Sequence, residues 1–176
     1  MNNQIIACFD VYYKKNHARA CCIVFKTDPA EKILSTYCQV IEPVYDYISG
    51  EFYRRELPCI LRVYEKIRED IDLIIIDGFV TLKNGKKGLG AHLFESLDKK
   101  LPVIGVAKTY FRGCENYVEI YRGRSSKPLY ISSIGIDLNY SAEFIKNLNG
   151  IYRIPDILKK VDQLSRKNTL YPPEFP

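Results

Sequence analysis

Hydrophobic and polar positions alternate along the first part of the chain with the two-residue period of β-strands. Three such segments follow one another: QIIACFDVYY, HARACCIVFK and KILSTYCQVIE. The connections between them, KKN and TDPAE, are short and polar or contain proline. Because short connections join neighbouring antiparallel strands, the pattern predicts an antiparallel meander of three strands.

The pattern changes to a helical period after the loop EPVYDYISG. Between residues 52 and 70 apolar side chains recur with the spacing of one helical face. They are Leu57, Ile60, Leu61, Tyr64 and Ile67. Proline lacks an amide hydrogen, so Pro58 fits this helix only near its first turn. We expect the helix to pack on the sheet.

Later segments complete a mixed architecture. The continuous apolar runs DLIIIDG and LPVIGVAK are typical of buried central strands, with the loop KNGKKG and the helix GLGAHLFESLDKK between them. YVEIYRG and KPLYISSIG predict a hairpin, and SAEFIKNL and PDILKKVDQLSRK predict two helices, with Pro155 in the first turn of the second. The order predicts an α/β fold: a mixed sheet of three antiparallel meander strands followed by parallel strands, with helices on both faces.

Composition narrows the class of protein. The 176 residues, 47% of them hydrophobic, are enough for one sizeable core, so we expect a single domain over residues 1–176. No apolar run approaches the roughly 18 residues of a membrane span, and no basic leader precedes the first strand, which favours a soluble protein without a membrane partner. The six cysteines lack CxxC spacing, so we expect reduced thiols, packed as small apolar side chains, and a cytoplasmic location.

Charge and aromatic content favour a polyanionic partner. The formal net charge is +5, and the chain contains 14 tyrosines. Phosphate contacts from Lys and Arg and stacking of bases on aromatic rings are the two main contributions to nucleic-acid binding. For any single tyrosine, packing within a strand is the simpler interpretation.

Two of the buried apolar strands end in an aspartate, Asp10 in IIACFD and Asp77 in LIIID. A carboxylate in such a position must be paired, hydrogen-bonded or bound to a metal, because burying it alone is costly. If both strands lie parallel in the middle of one sheet, the two carboxylates converge at its edge. Together with Glu56 they provide the oxygen ligands that Mg²⁺ prefers. The alternative is a turn residue after each strand, as for Asp77 before Gly78.

Five segments resemble, in order, motifs of the endonuclease V family. ACFDVYY resembles its DVxY-type first strand, DYISGEFYRRE its PYIPG segment and FRE-type glutamate, and IIIDG its second aspartate strand. PVIGVAK resembles its IGVAK strand with the lysine, and IYRIPDILKKVD its YRLPEP-type C-terminal helix. The resemblance extends from about residue 5 to residue 165.

The resemblance implies a ribonuclease-H-like fold and an endonuclease of nucleic-acid repair. Such an enzyme cleaves DNA or RNA one nucleotide beyond hypoxanthine, on its 3′ side. Asp10, Glu56 and Asp77 would hold Mg²⁺, for which Mn²⁺ can substitute, and Lys108 would lie near the scissile phosphate. We expect the enzyme to act as a monomer on nucleic acid that contains a deaminated base.

The resemblance also implies two substrate-binding regions. One is the loop that wedges into the duplex at the lesion, and it would consist of Tyr47, Ile48 and Gly50. The other is a glycine-rich turn and helix that form the pocket for the extruded base, and it would consist of Gly88, Gly90, Ala91 and His92. On sequence alone, His92 is more typical of a hydrogen-bonded helix residue, Lys108 equally of a solvated strand end, and the wedge segment of a plain exposed loop.

The chain departs from the family motifs around the pocket. Where the family has DGxG followed by HPR, this chain has DGFV followed by TLKNGKKG, so lysines replace the histidine and arginine. Asp46 and Ser49 replace the wedge prolines, and Ile136 replaces the histidine of a late motif. Since the given sequence begins at the first strand, we expect the chain to lack the N-terminal helix that is common in the family.

Three other hypotheses remain open. The altered pocket is compatible with a catalytically silent nucleic-acid-binding homologue, although all three carboxylates are retained. A ribonuclease-H-like nuclease of another specificity, such as structure-selective or RNA-directed cleavage, would use the same metals. A non-enzymatic scaffold of unrelated fold would leave the aspartates at the strand ends without a purpose.

Overall fold

A single seven-stranded sheet forms the centre of the protein in the computed structural model, which describes residues 4–15, 17–27, 30–44, 48 and 51–167. The strands are β1 (Ile5–Tyr13), β2 (Ala18–Lys26), β3 (Lys32–Ile41), β4 (Leu73–Asp77), β5 (Val103–Ala107), β6 (Val118–Ile120) and β7 (Leu129–Ile134). The helices are α1 (Phe52–Tyr64), α2 (Leu89–Ser96), α3 (Leu138–Asn147) and α4 (Asp156–Ser165).

The order of strands in the sheet is β3-β2-β1-β4-β5-β7-β6. Strands β1, β2 and β3 pair antiparallel, as the alternating pattern predicts. Strand β4 pairs parallel with both β1 and β5, and β7 pairs antiparallel with β5 and β6. The predicted meander, central parallel strands and late hairpin are therefore confirmed.

Helices cover both faces of the sheet, which explains the continuous apolar runs of β4 and β5. Successive side chains of a strand point to opposite faces. Ile6 and Cys8 of β1 accordingly belong to the core beneath α3 and α4, whereas Ala7 and Phe9 belong to the core beneath α1 and α2. No helix of the described ranges has the length and apolar character needed to cross a membrane.

Helix α1 differs from the prediction in two respects. It ends at Tyr64 rather than near residue 70, and Pro58 lies in its interior rather than in its first turn. Proline cannot donate to the carbonyl one turn earlier, which weakens a helix locally. Packing compensates here, because one face of α1 is buried against the sheet through Cys59, Ile60 and Val63.

The prediction that all cysteines are reduced is wrong for Cys21 and Cys38, which form a disulfide. The two residues are direct cross-strand partners in β2 and β3, with Cα atoms 4.1 Å apart. Their proximity follows from the strand register, which cysteine spacing along the chain does not reveal. The free cysteines are buried, as predicted, and they are Cys8, Cys22, Cys59 and Cys114. The cytoplasmic location stays a prediction.

Candidate active site

The ends of the parallel strands bring three of the predicted residues together. The last pair in the β1–β4 ladder is Phe9 with Ile76, so Asp10 and Asp77 are neighbours one step beyond it. Asp77 pairs with Val106 of β5, and Lys108 follows two residues later. Because side chains alternate along a strand, all three point to the face that α4 covers. Convergence of the two aspartates, predicted from the apolar strands alone, follows from this register.

A cavity of about 770 Å³ opens at this end of the sheet. Glu56 reaches it from α1, which packs on the opposite face, so the cavity extends around the ends of the strands. Its walls include all four predicted catalytic residues, Asp10, Glu56, Asp77 and Lys108. Aromatic side chains form much of the remaining wall, and they include Phe52, Tyr53, Phe79 and Phe111.

The Lys108 ammonium occupies the centre of the charged cluster. Its Nζ donates to Asp77 Oδ2 at 2.7 Å and lies 3.6 Å from Asp162 Oδ1. Desolvation alone would lower the pKa of Lys108, but Asp77, Asp10 and Asp162 outweigh it and raise this pKa. Lys108 is therefore a stable cation between carboxylates.

Asp10 is held from α4. The Ser165 hydroxyl, which is fully buried, donates to Asp10 Oδ2. Burial raises the pKa of Asp10, the bond from Ser165 opposes this increase, and the charges of Asp77 and Asp162 add to it. Asp10 is thus oriented by a hydrogen bond while it lies close to other negative charges.

Glu56 is the most deeply buried of the carboxylates, with 6% of its surface exposed. Burial raises its pKa well above the ordinary value, and the charges of Asp10 and Asp77 raise it further. The three side chains thus repel one another, and water screens this repulsion least at the buried Glu56. A hard cation with oxygen ligands would relieve this repulsion.

The chemistry of these donors fits Mg²⁺, although the cluster is not arranged as a closed metal site. In the described part of the chain, no three His, Cys, Asp or Glu side chains form a group that could hold a metal ion. The Lys108 ammonium, bonded to Asp77, supplies positive charge there instead. The assignment of Asp10, Glu56 and Asp77 as metal ligands stays a prediction.

Helix α4 contributes residues that sequence analysis missed. Asp162 and Ser165 contact Lys108 and Asp10, and Arg166 lines the cavity and binds the Asp162 carboxylate at 2.8 and 3.0 Å. One signal was present: Leu158, Val161 and Ser165 follow each other at helical spacing and are all buried, so Ser165 is a polar residue in an apolar stripe.

Two arginines fix the backbone around Lys108. Arg153 Nη2 donates to the carbonyl of Lys108 and, at 2.7 Å, to that of Pro128. Arg122 is buried, and its guanidinium donates to six backbone carbonyls in the segment that leads to Arg153. These are the carbonyls of Lys146, Leu148, Asn149, Gly150, Tyr152 and Arg153. Arg122 thus supports Arg153, which in turn supports Lys108.

The residues predicted to form the base pocket divide into two groups. Gly88 lines the cavity, and a Cβ there would lie 2.4 Å from the carbonyl oxygen of Phe79, so only glycine fits. A Cβ on Gly90 would lie 2.6 Å from Val80, which indicates close packing of α2. Gly90, Ala91 and His92 are not among the lining residues. Their role in binding the base stays a prediction.

His92 instead packs against Tyr53, a residue that lines the cavity. Its ring stacks on that of Tyr53, with centroids 3.7 Å apart and planes 14° from parallel. Burial, with a contribution from Lys87, lowers the pKa of His92 and favours the neutral ring. Of the predicted wedge, Ile48 is half exposed, whereas Tyr47 and Gly50 lie outside the described residues.

Solved structures identify the class of fold. The catalytic domain of human endonuclease V matches with a TM-score of 0.77 at 21% identity, covering 93% of this chain and 81% of that chain. Endonuclease V of Ciona intestinalis, in complex with a 23mer DNA containing an inosine followed by a ribo-adenosine, matches with a TM-score of 0.79 at 19% identity, covering 93% and 84%. The fold is therefore ribonuclease-H-like, as predicted.

Sequence comparison identifies the family. The family model described as Endonuclease V matches residues 1–124. Endonuclease V of Rippkaea orientalis is 26% identical over 182 residues, which cover 91% of this chain and 78% of the relative. That of Bacillus velezensis is 31% identical over 155 residues, which cover 70% and 64%. The chain belongs to the endonuclease V family and is a nuclease.

Proposed function

We propose that this protein is a Mg²⁺-dependent endonuclease that hydrolyses a phosphodiester on the 3′ side of a deaminated base, hypoxanthine, in DNA or RNA. One observation carries the proposal: Asp10, Glu56 and Asp77 line one cavity, and burial and mutual repulsion raise the pKa values of Asp10 and Glu56. Such an arrangement costs stability unless a cation compensates for it.

The carboxylates would hold the metal ion. Asp10, Glu56 and Asp77 would be its protein ligands, and Asp162 adds a fourth carboxylate near Lys108. When bound, Mg²⁺, or Mn²⁺ in its place, supplies Lewis acidity that stabilises charge on the phosphate and acidifies a water molecule. Ser165 keeps the Asp10 carboxylate in its orientation through the hydrogen bond that it donates.

Lys108 would contact the scissile phosphate. An ammonium group carries three donors, and the bond to Asp77 uses one of them. Its side chain is partly exposed to the cavity, so the remaining donors can reach a phosphate oxygen and stabilise negative charge that develops there. The contacts from Arg153 and, behind it, Arg122 keep Lys108 at this place.

The cavity has the size and walls expected for a flipped base. Its volume of about 770 Å³ exceeds that of a purine, and Phe52, Tyr53, Phe79 and Phe111 offer aromatic faces. An enzyme that acts at a modified base commonly extrudes that base from the helix into such a pocket. The Ciona relative binds inosine-containing DNA in its crystal structure, which supports hypoxanthine as the base.

Cleavage of end-labelled oligonucleotides containing one hypoxanthine tests the proposal. Single-stranded and duplex DNA and RNA are incubated with Mg²⁺, and the position of the cut is determined. We expect a cut one nucleotide beyond the base on its 3′ side, lost in Asp77→Asn but not in Asp98→Asn, whose carboxylate is exposed and does not line the cavity. Binding without cleavage would contradict the proposal and favour a catalytically silent homologue. Cleavage at unmodified sites would indicate another specificity.

A further inference from the structure

Three tyrosines form an ordered aromatic surface beside the cavity, which we call the tyrosine surface: Tyr110, Tyr117 and Tyr130. Their ring centroids lie 5.5 to 6.2 Å apart, at tilted or edge-to-face angles. Phe79, which lines the cavity, lies 6.2 Å from Tyr117 and 6.3 Å from Tyr130. The tyrosine surface is therefore fixed by ring contacts and adjoins the wall of the active site.

Tyr110 presents a large aromatic area to solvent, with 47% of its surface exposed. It is two residues from Lys108, and Tyr130 is the cross-strand partner of Ala107. The neighbouring Phe111, also half exposed, lines the cavity. A strand of nucleic acid leaving the scissile phosphate on this side would therefore meet the tyrosine surface directly.

Cationic side chains stand next to the tyrosine surface. The segment around Lys83 pairs with the segment after Tyr110: Leu82 bridges Cys114, and Lys83 N donates to Gly113 O at 2.7 Å. This pairing brings Lys83 and Lys86, both exposed, close to the exposed Arg112.

The same region also contains two carboxylates, Glu115 and Glu119, which Lys83, Lys86 and Arg112 outnumber. Glu115 accepts a hydrogen bond from the backbone of Gly85, and Glu119 accepts one from Tyr121. The combination of aromatic rings with cations is the one that binds single-stranded nucleic acid.

We propose that the tyrosine surface is a second nucleobase-binding subsite, on which an unpaired base outside the active-site cavity stacks. Tyr110 supplies the stacking face, and Lys83, Lys86 and Arg112 contact the adjoining phosphates. Bases in a duplex are already stacked on both faces, so the subsite takes bases from single-stranded or frayed segments. The inference rests on the proposed function only in that the ligand is nucleic acid.

Equilibrium binding measurements separate the stacking of a base on Tyr110 from the general electrostatic attraction of nucleic acid. Fluorescence anisotropy with unmodified single-stranded DNA and a blunt-ended, GC-rich duplex, in EDTA to prevent cleavage, is measured for Tyr110→Leu, Tyr110→Phe and Tyr140→Leu. Tyr140 is a matched control, since it is 44% exposed and lies on α3. We expect Tyr110→Leu to weaken single-strand binding by about 5- to 100-fold and duplex binding by less than about 2-fold.

The other variants keep the result interpretable. Tyr110→Phe retains the ring, so it should bind like the unaltered protein, and Tyr140→Leu should change neither affinity. An equal loss for both nucleic acids, or no loss for either, would overturn the proposal. If Tyr110→Leu does not fold, weakened single-strand binding by Tyr110→Phe would overturn it equally.

Photocross-linking locates the base directly and distinguishes this inference from the proposed function. Oligonucleotides carry 5-iodouracil at single positions on either side of a hypoxanthine, and cross-linked peptides are identified by mass spectrometry. We expect at least one position to cross-link to Tyr110. Cleavage at hypoxanthine without a cross-link to any of the three tyrosines refutes the subsite alone, whereas the cross-link without cleavage supports the subsite and refutes the proposed function.

Discussion

Two regions of the molecule bury charge to the same extent and in opposite ways. Glu56 and Arg122 are both 6% exposed. Arg122 is surrounded by carbonyl oxygens at the end of α3 and in the following loop, where the partial negative charge of a helix C-terminus also lies. Glu56 is instead close to Asp10 and Asp77, which carry the same charge as Glu56 itself.

Burial of a charge therefore does not by itself indicate function. The surroundings of Arg122 compensate its charge, so its burial serves the structure of the loop that ends in Arg153. The surroundings of Glu56 carry charges of the same sign, which raises the cost of burying its carboxylate. A fold selected for stability alone would avoid this arrangement. Perturbed groups of that kind cluster at functional sites.

The largest expected effect concerns the carboxylates. Asp10→Asn should reduce cleavage to background and at the same time raise the melting temperature of the metal-free protein, because the raised pKa shows that the ionised carboxylate opposes folding at neutral pH. Ser165 can still donate to the amide oxygen. Cleavage assays and thermal melting in EDTA measure both. A lower melting temperature would mean that Asp10 is a structural residue.

Arg122 should behave in the opposite way. Arg122→Met removes the donor for six carbonyls and should lower the free energy of unfolding by about 3–5 kcal/mol. Arg124→Met, in an exposed position nearby, should change it by less than about 0.5 kcal/mol. Urea unfolding measures both. A loss below about 1 kcal/mol would remove the contrast between the two regions.

Metal binding should relieve the repulsion in one region only. Mg²⁺ at about 100 times its dissociation constant should stabilise the protein by about 2.7 kcal/mol, because it binds the folded state. The gain should disappear in Asp10→Asn and Glu56→Gln and persist in Arg124→Met. Thermal melting with and without Mg²⁺ is the measurement. An equal gain in all variants would place the bound metal elsewhere.

The smallest effect is the pH dependence of the metal-free protein. The folded pKa values of Asp10 and Glu56 are raised, so above about pH 4 each of these two side chains binds more protons in the folded chain than in the unfolded chain. The stability that these two groups contribute is therefore fully present below the unfolded pKa and is lost as pH rises through the folded pKa. Urea unfolding across this range should give a shallower slope for Glu56→Gln.

Sequence patterns predict one half of the active site better than the other. Asp10 and Asp77 end apolar strands, so strand burial and the shared edge of a parallel sheet were sufficient to bring them together. Asp162 and Arg166 lie on a polar helix face that looks solvated in the sequence, and their contacts depend on how α4 packs. Long-range placement of that kind has no local signature.

The same distinction between local patterns and long-range placement explains which other predictions from the sequence were right and which were wrong. The alternation of hydrophobic and polar residues predicted the meander strands, because every second residue of a strand faces the same side of the sheet. The Cys21–Cys38 pair requires the register of β2 and β3, and the interior position of Pro58 requires the packing that stabilises α1 around it. Arg122 was missed because its partners are backbone carbonyls, which every sequence contains.

The contact between Ser165 and Asp10 joins positions 155 residues apart in the chain. Strand β1 is synthesised before the other described elements, whereas α4 follows all of them. Contacts of such large sequence separation slow folding, because the long intervening loop must be closed first. A nascent chain arrested before α4 should therefore be inactive in a cleavage assay. Among the described elements, α4 is thus the one whose synthesis completes the hydrogen bond to Asp10, so cutting activity should appear only after α4 has been made.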